Sequence, residues 1–231
     1  MVHFWKDMNM LMDHIAQVEK YAINSYTKIL RPTSESGDIV RYGGYSWIVL
    51  ARDEAGEMLL VASRLLAIMP MKYHHERANV TWEDSSIRKY LNTTFLNKFS
   101  AKEQEEIIEK KHINHATPFY DTPGGNATDE KIFLLSLEEI VKYLGDSGQL
   151  SKKSWPREND NDLSKPCLIN DEYDNLHSAI NEFGEKYHYW LRSPGRDASH
   201  AAIVREDGTI DLGGEPVDTL AGIRPAMWVK L

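Results

Sequence analysis

The densest collection of chemically capable side chains lies between Tyr187 and His200. It reads Tyr187-His188-Tyr189-Trp190-Leu191-Arg192-Ser193-Pro194-Gly195-Arg196-Asp197, followed by Ser199 and His200. In an extended strand, Tyr187, Tyr189 and Leu191 face one side, while His188, Trp190 and Arg192 face the other. The second set joins a flat indole to an imidazole and a guanidinium. Such a surface suits a sugar, a planar ligand or a peptide, through stacking, cation–π contact and bidentate hydrogen bonds. Trp190 and Arg192 have an alternative use, as core and buried-pair residues that define the fold. In that case Arg196, Asp197, Ser199 and His200 become the better contacts, because binding groups concentrate on loops. The candidate ligand-binding set is therefore His188, Trp190, Arg192, Arg196, Asp197 and His200. Arg224 is expected to hold the sheet together, paired with a carboxylate.

Other chemistries find less support. His74-His75, His112 with His115, and His188 with His200 supply imidazoles without an H-x-x-x-H-x-E arrangement. Glu158, Asp160 and Asp162 alternate in a polar run, and hard oxygen ligands are what calcium takes. That run lacks the central Gly and distal Glu of an EF-hand. No cofactor is implied, and calcium is the one cation kept in view. The G-x-S-x-G elbow, the phosphate-binding Gly-rich loop and H-E-x-x-H are all missing, and no catalytic residue is assigned. Gly43-Gly44 and Gly213-Gly214 read as turns.

The elements that must position these residues follow from periodicity and caps. Residues 3–30 read as one long amphipathic helix, with Phe4, Met8, Leu11, Ile15, Val18, Ala22, Tyr26 and Ile29 at helical steps. Its apolar face either packs on the following domain or serves homo-oligomerisation. From Ile39 the period becomes two, giving strands over 39–42, 45–50 and 58–62 with turns at Gly43-Gly44 and Asp53–Gly56. Thr81-x-x-Asp84 precedes a helix with Ile87, Leu91 and Phe95 on one face. Ser100-x-x-Glu103 opens a charged helix containing Ile107 and Ile108, and Ser136-x-x-Glu139 opens a helix over 137–144 that Gly145 stops. Lys131–Leu135 reads as a buried strand and 116–130 as loop. Residues 145–182 form the least regular stretch. Strands return at 187–192, 201–205, 209–212 and 223–231, with a hairpin turn at Asp207-Gly208.

Composition bounds the remaining choices. The 231 residues exceed one typical domain, which suggests an N-terminal helix and linker over 1–37 and one domain over 38–231. With 35 acidic against 27 basic side chains, the net charge of −8 repels phosphate backbones, so nucleic acid is not an expected partner. No signal sequence and no apolar run of about 18 residues is present, so no membrane partner is expected and the cytoplasm is the expected compartment. The single cysteine, Cys167, excludes an internal disulfide framework.

Several fragments carry a resemblance. Tyr42-Gly43-Gly44-Tyr45-Ser46-Trp47, Thr81–Arg88, Tyr90-Leu91-Asn92 and Phe133-Leu134-Leu135-Ser136 come first in the chain. They are followed by Tyr189-Trp190-Leu191-Arg192-Ser193-Pro194-Gly195 and Ile223-Arg224-Pro225-Ala226. Together they resemble a large bacterial family known only as a domain of unknown function. More distantly, the tail is similar to C-type-lectin-like folds, including the formylglycine-generating-enzyme and phage tropism-determinant branches. That likeness implies an α+β domain with short strands and flanking helices, whose late strands form a ligand-facing sheet. The copper chemistry of the formylglycine-generating branch needs two thiolates, and Cys167 supplies one. The expectation is thus a non-enzymatic recognition module for a glycan, small molecule or protein. The alternatives are an assembly subunit acting through residues 3–30 and an enzyme with a cryptic metal-dependent site.

Overall fold

A computed structural model describes residues 28–66, 71–153 and 166–231. Its first element is a short exposed strand, β1 (Lys28–Ile29), lying parallel to β2 (Ile39–Tyr42). The helix expected over 3–30 therefore does not reach its predicted end. Lys28 and Ile29 pair with Val40 and Arg41, and Leu30 donates its N–H to the Arg41 carbonyl. Pairing with β2 gives this backbone partners that a helix ending before Pro32 would leave open. The rest of that helix lies outside the described residues.

The first hairpin matches its sequence signal. β2 turns into β3 (Tyr45–Arg52) through Gly43 and Gly44, at φ of 58° and 81°, the positive pair that a tight two-residue turn requires. A side chain on Gly43 would collide with the Phe99 ring. Trp47 is fully buried and donates its indole N–H to the Tyr42 carbonyl at 2.9 Å. β4 (Met58–Ala62) is buried along its whole length and pairs with β3. β5 (Met71–Lys72) follows and pairs antiparallel with the late residues Leu220 and Ala221.

Three helix starts were expected, and two capping boxes form. Ser100 opens α2 (Ala101–Glu106), and Ser136 opens α3 (Leu137–Leu144), which Gly145 ends at φ 93°. The start expected at Thr81 lies instead at Ser85, which caps α1 (Ser86–Tyr90) by accepting from the Arg88 N–H. Trp82 is anchored in the core by a 2.6 Å hydrogen bond to Glu130, so residues 81–84 form turns before the helix begins. A π-helical turn (Leu91–Phe95) and a 3₁₀ turn (Leu96–Lys98) continue α1, and Ile87, Leu91 and Phe95 are all fully buried.

Ile107 and Ile108, expected inside α2, form strand β6 (Ile107–Ile108). Next come β7 (Lys110–His112), β8 (Thr128–Glu130), within the expected loop, and β9 (Ile132–Leu134). The irregular stretch contains α4 (Gln149–Lys153), β10 (Leu168–Ile169) and α5 (Asp174–His177). The late strands are β11 (Tyr189–Pro194), β12 (His200–Val204), β13 (Ile210–Pro216), β14 (Leu220–Ala221) and β15 (Pro225–Val229). β15 inserts beside β4 and pairs on its other side with β6 and β9, so the chain's last strand closes a seven-stranded sheet. A second sheet has the order β10-β13-β12-β11. The architecture is mixed, with two principal sheets and short helices. No helix among the described residues is long and apolar enough to cross a membrane.

Arg224, next to β15, is 3% exposed. It donates to the Ala62 and His177 carbonyls and to the Tyr189 hydroxyl, at 3.1–3.2 Å. The sheets are thus tied through carbonyls and a phenol, where a carboxylate partner was expected.

Candidate functional site

The late sheet owes its shape to two bulges at one level. Between Trp190 and Pro194, β11 spends three residues opposite the single Ala202 of β12. On the other side, β13 spends Leu212, Gly213 and Gly214 opposite the same Ala202. Gly213-Gly214, read as a turn, is therefore a bulge inside β13. Gly214 has φ 60°, and a side chain there would strike the Ala201 carbonyl. Extra residues of this kind re-aim side chains. Here they redirect the backbone of Arg192, whose N–H bonds to the Leu135 carbonyl, and free the Gly213 carbonyl to seat Arg196.

Six residues were singled out, and the structure distributes them over three places. His188 stands before β11, stacked on Tyr187, with its ring Nε2 donating to the Leu220 carbonyl at 3.0 Å. Trp190 is fully buried, edge-on to Tyr73 at 5.5 Å, and its indole N–H is donated to the Met71 carbonyl at 2.8 Å. Its ring has no face left for a ligand. Arg192 is likewise 3% exposed. Its guanidinium donates to Glu139 at 2.8 Å, to Asn114 at 3.2 Å and to the Leu134 carbonyl at 3.2 Å. Giving each guanidinium nitrogen a partner in this way is how a charge is kept in a core.

From Arg192 a polar chain runs across to α1. Asn114 also meets Thr128, and Thr128 bonds to Glu130, which takes the Trp82 indole and the Arg88 guanidinium. Burial would raise the Glu139 carboxyl, but His112 and Arg192 outweigh it and hold it below the usual carboxylate range. Glu139 thus serves both the capping box of α3 and the buried arginine. The first role is legible in Ser136-x-x-Glu139; the second joins positions 53 residues apart and leaves no local signal.

Arg196, Asp197 and His200 do converge. His200 begins β12 with its side chain 2% exposed, between two half-exposed charged neighbours. Its Nε2 is 2.8 Å from an Arg196 terminal nitrogen, and an arginine can only donate, so Nε2 accepts. The imidazole proton then sits on Nδ1 and is donated to Asp197 Oδ1 at 2.7 Å. Ser199 adds its N–H and its hydroxyl to the same carboxylate oxygen, at 2.8 and 2.7 Å. Burial would raise Asp197, but the hydrogen bonds from His200 and Ser199 hold it down at about 2.

Backbone bonds fix the loop from every side. Arg196 N–H meets the Gly213 carbonyl, Val217 N–H meets Ser199, and Val80 N–H meets Ala198. Gly195 is enclosed so closely by Gly213 and His200 that no side chain fits. The Gly213 carbonyl is the part of the site that the sequence reading lacked, since its role depends on the bulge.

This arrangement offers a fixed cation and a fixed anion side by side. It lacks the geometry of a nucleophilic triad. Ser199 Oγ stands 3.2 Å from Nδ1, the ring nitrogen already committed to Asp197, and Nε2 is occupied by Arg196. Among the described residues no group of three His, Cys, Asp or Glu side chains could hold a metal ion. The calcium candidates Glu158, Asp160 and Asp162 lie outside the described residues.

No curated protein and no solved structure matches the chain. One family model does, over residues 55–231, from the turn before β4 to the end of the chain, which takes in the whole second sheet, the Arg196 loop and the first sheet without β1, β2 and β3. The chain belongs to that family, DUF6273, a domain of unknown function.

Proposed function

We propose that this domain is a non-catalytic recognition module that meets its ligand through the loop Gly195–His200. The observation that carries this reading is the buried imidazole of His200, which spends both nitrogens orienting Arg196 and Asp197. A side chain used this way supplies no proton to a reaction, but it sets two exposed charged heads in advance of binding, which lowers the cost of association. The late sheet, its hairpin and the arginine near the terminus are in keeping with a C-type-lectin-like arrangement, in which such loops face the ligand. The alternative of a hidden hydrolytic centre is favoured only by the Asp197–His200 bond, and its nucleophile position is filled by Arg196.

The test is a thermal-shift screen of glycans, nucleotides and small acids on the wild-type chain and on an Arg196→Ala, Asp197→Ala double variant. The reading expects a ligand that raises the melting temperature of the wild type alone. A ligand that stabilises both proteins equally places recognition elsewhere.

A further inference from the structure

We infer that the group bound by this loop is an uncharged hydroxyl, of the kind a polyol or glycan presents, and not a free anion; this rests on the recognition reading above. Asp197 Oδ1 is fully used by Ser199 and His200, and one terminal nitrogen of Arg196 is used by His200. What remains adjacent is Arg196 Nε and Asp197 Oδ2, which stand 4.0 Å apart. That gap is too wide for a direct hydrogen bond, so a donor and an acceptor stand side by side with no bond closing them.

A single oxygen carrying one proton closes the gap. Set about 2.8 Å from each atom, it accepts from Nε and donates to Oδ2 with about 90° between the two bonds, somewhat tighter than the roughly tetrahedral angle of a hydroxyl oxygen. A carboxylate or phosphate would satisfy Arg196 but bring its own charge against Asp197, which stays ionised because its carboxyl is held at about 2. An ammonium group would satisfy Asp197 and meet the Arg196 cation. A primary amide offers its donor and acceptor on separate atoms as parallel hydrogen bonds, which suits a closer pair.

The test follows the amide signals of residues 195–200 and the Arg196 Nε–H signal of the full chain by ¹H–¹⁵N NMR. The probes are D-mannose, myo-inositol, sodium acetate and inorganic phosphate at matched ionic strength. Mannose or inositol should move these signals, with acetate and phosphate leaving them in place, and Asp197→Ala should abolish the movement. If that variant does not fold, Arg196→Gln, altered at a half-exposed side chain, gives the same reading. Movement by phosphate or acetate alone overturns the hydroxyl assignment while the loop remains a recognition site. Signals that no probe moves overturn both, and polyol shifts that persist in the variants overturn the assignment of the gap.

Discussion

Arg192 and Arg196 stand four residues apart and end in opposite surroundings. The Arg192 guanidinium is buried against a carboxylate, an amide and a carbonyl that come from β9, α3 and the loop after β7. The Arg196 side chain keeps 44% of its surface and has one firm partner, an imidazole from its own loop. Burying a cation demands that its donors be answered, so Arg192 gathers distant segments and acts as a structural tie. A cation at the surface carries no such demand, so Arg196 can be held by one bond and offer the rest outward. The bulge around Ala202 separates the two outcomes, turning the backbone of Arg192 into the core and delivering Arg196 to the surface.

The comparison can be broken most severely at Arg192. Arg192→Ala leaves Glu139 without its guanidinium and should cost about 3–5 kcal/mol, measured by urea unfolding. A cost below about 1 kcal/mol would show that the buried network is not a tie. The bulge comes next. Gly214→Ala puts a side chain at positive φ against the Ala201 carbonyl, and should cost about 1–3 kcal/mol while disturbing the Arg196 loop signals. Unchanged loop signals in that variant would detach the loop from the bulge.

A smaller effect comes from His177, the other fully buried histidine-bearing knot near Arg224. Its Nε2 donates to the Gly145 carbonyl at 2.7 Å, and its Nδ1 is buried without a hydrogen-bond partner among the described residues. Burial lowers its tendency to take a proton, and Gly145, Asp171 and Asp174 offset this only in part. The unfolded chain then binds the proton first. The contribution is fully present above the ordinary imidazole range and is lost as pH falls through that range, by at most about 1.4 kcal/mol per pH unit. His177→Gln should flatten the fall of melting temperature between about pH 7 and 5. An unaltered slope would assign the acid sensitivity to other groups. The smallest stability effects belong to the loop: Arg196→Ala and Asp197→Asn should each cost about 1 kcal/mol, because each weakens one hydrogen bond to the buried His200 ring while solvent reaches the half-exposed partner.

How far this division could be seen in the sequence depended on the range of each signal. Local chemistry was readable: the Gly43-Gly44 hairpin, both capping boxes, the Gly145 stop and the Asp207-Gly208 turn all lie where their residues place them. Failures came where a distant partner overrode a local preference. Trp82 is held by Glu130, so the cap of the first helix lies four residues after Thr81, at Ser85. Ile107 and Ile108 leave their helix because β15 offers a ladder. Alternation correctly put Trp190 and Arg192 on one strand, but nothing local says that this side of the strand is covered. The convergence of Arg196, Asp197 and His200 was readable because it lies within five consecutive residues; the bulge that seats it was not.

The most direct measurement compares unfolding stability and mannose or inositol binding for wild type, Arg196→Ala and Asp197→Asn. The account predicts folded variants, destabilised by far less than Arg192→Ala, in which the polyol response of residues 195–200 is gone. Variants that unfold, or that bind as the wild type does, would contradict the division between a structural Arg192 and a recognising Arg196.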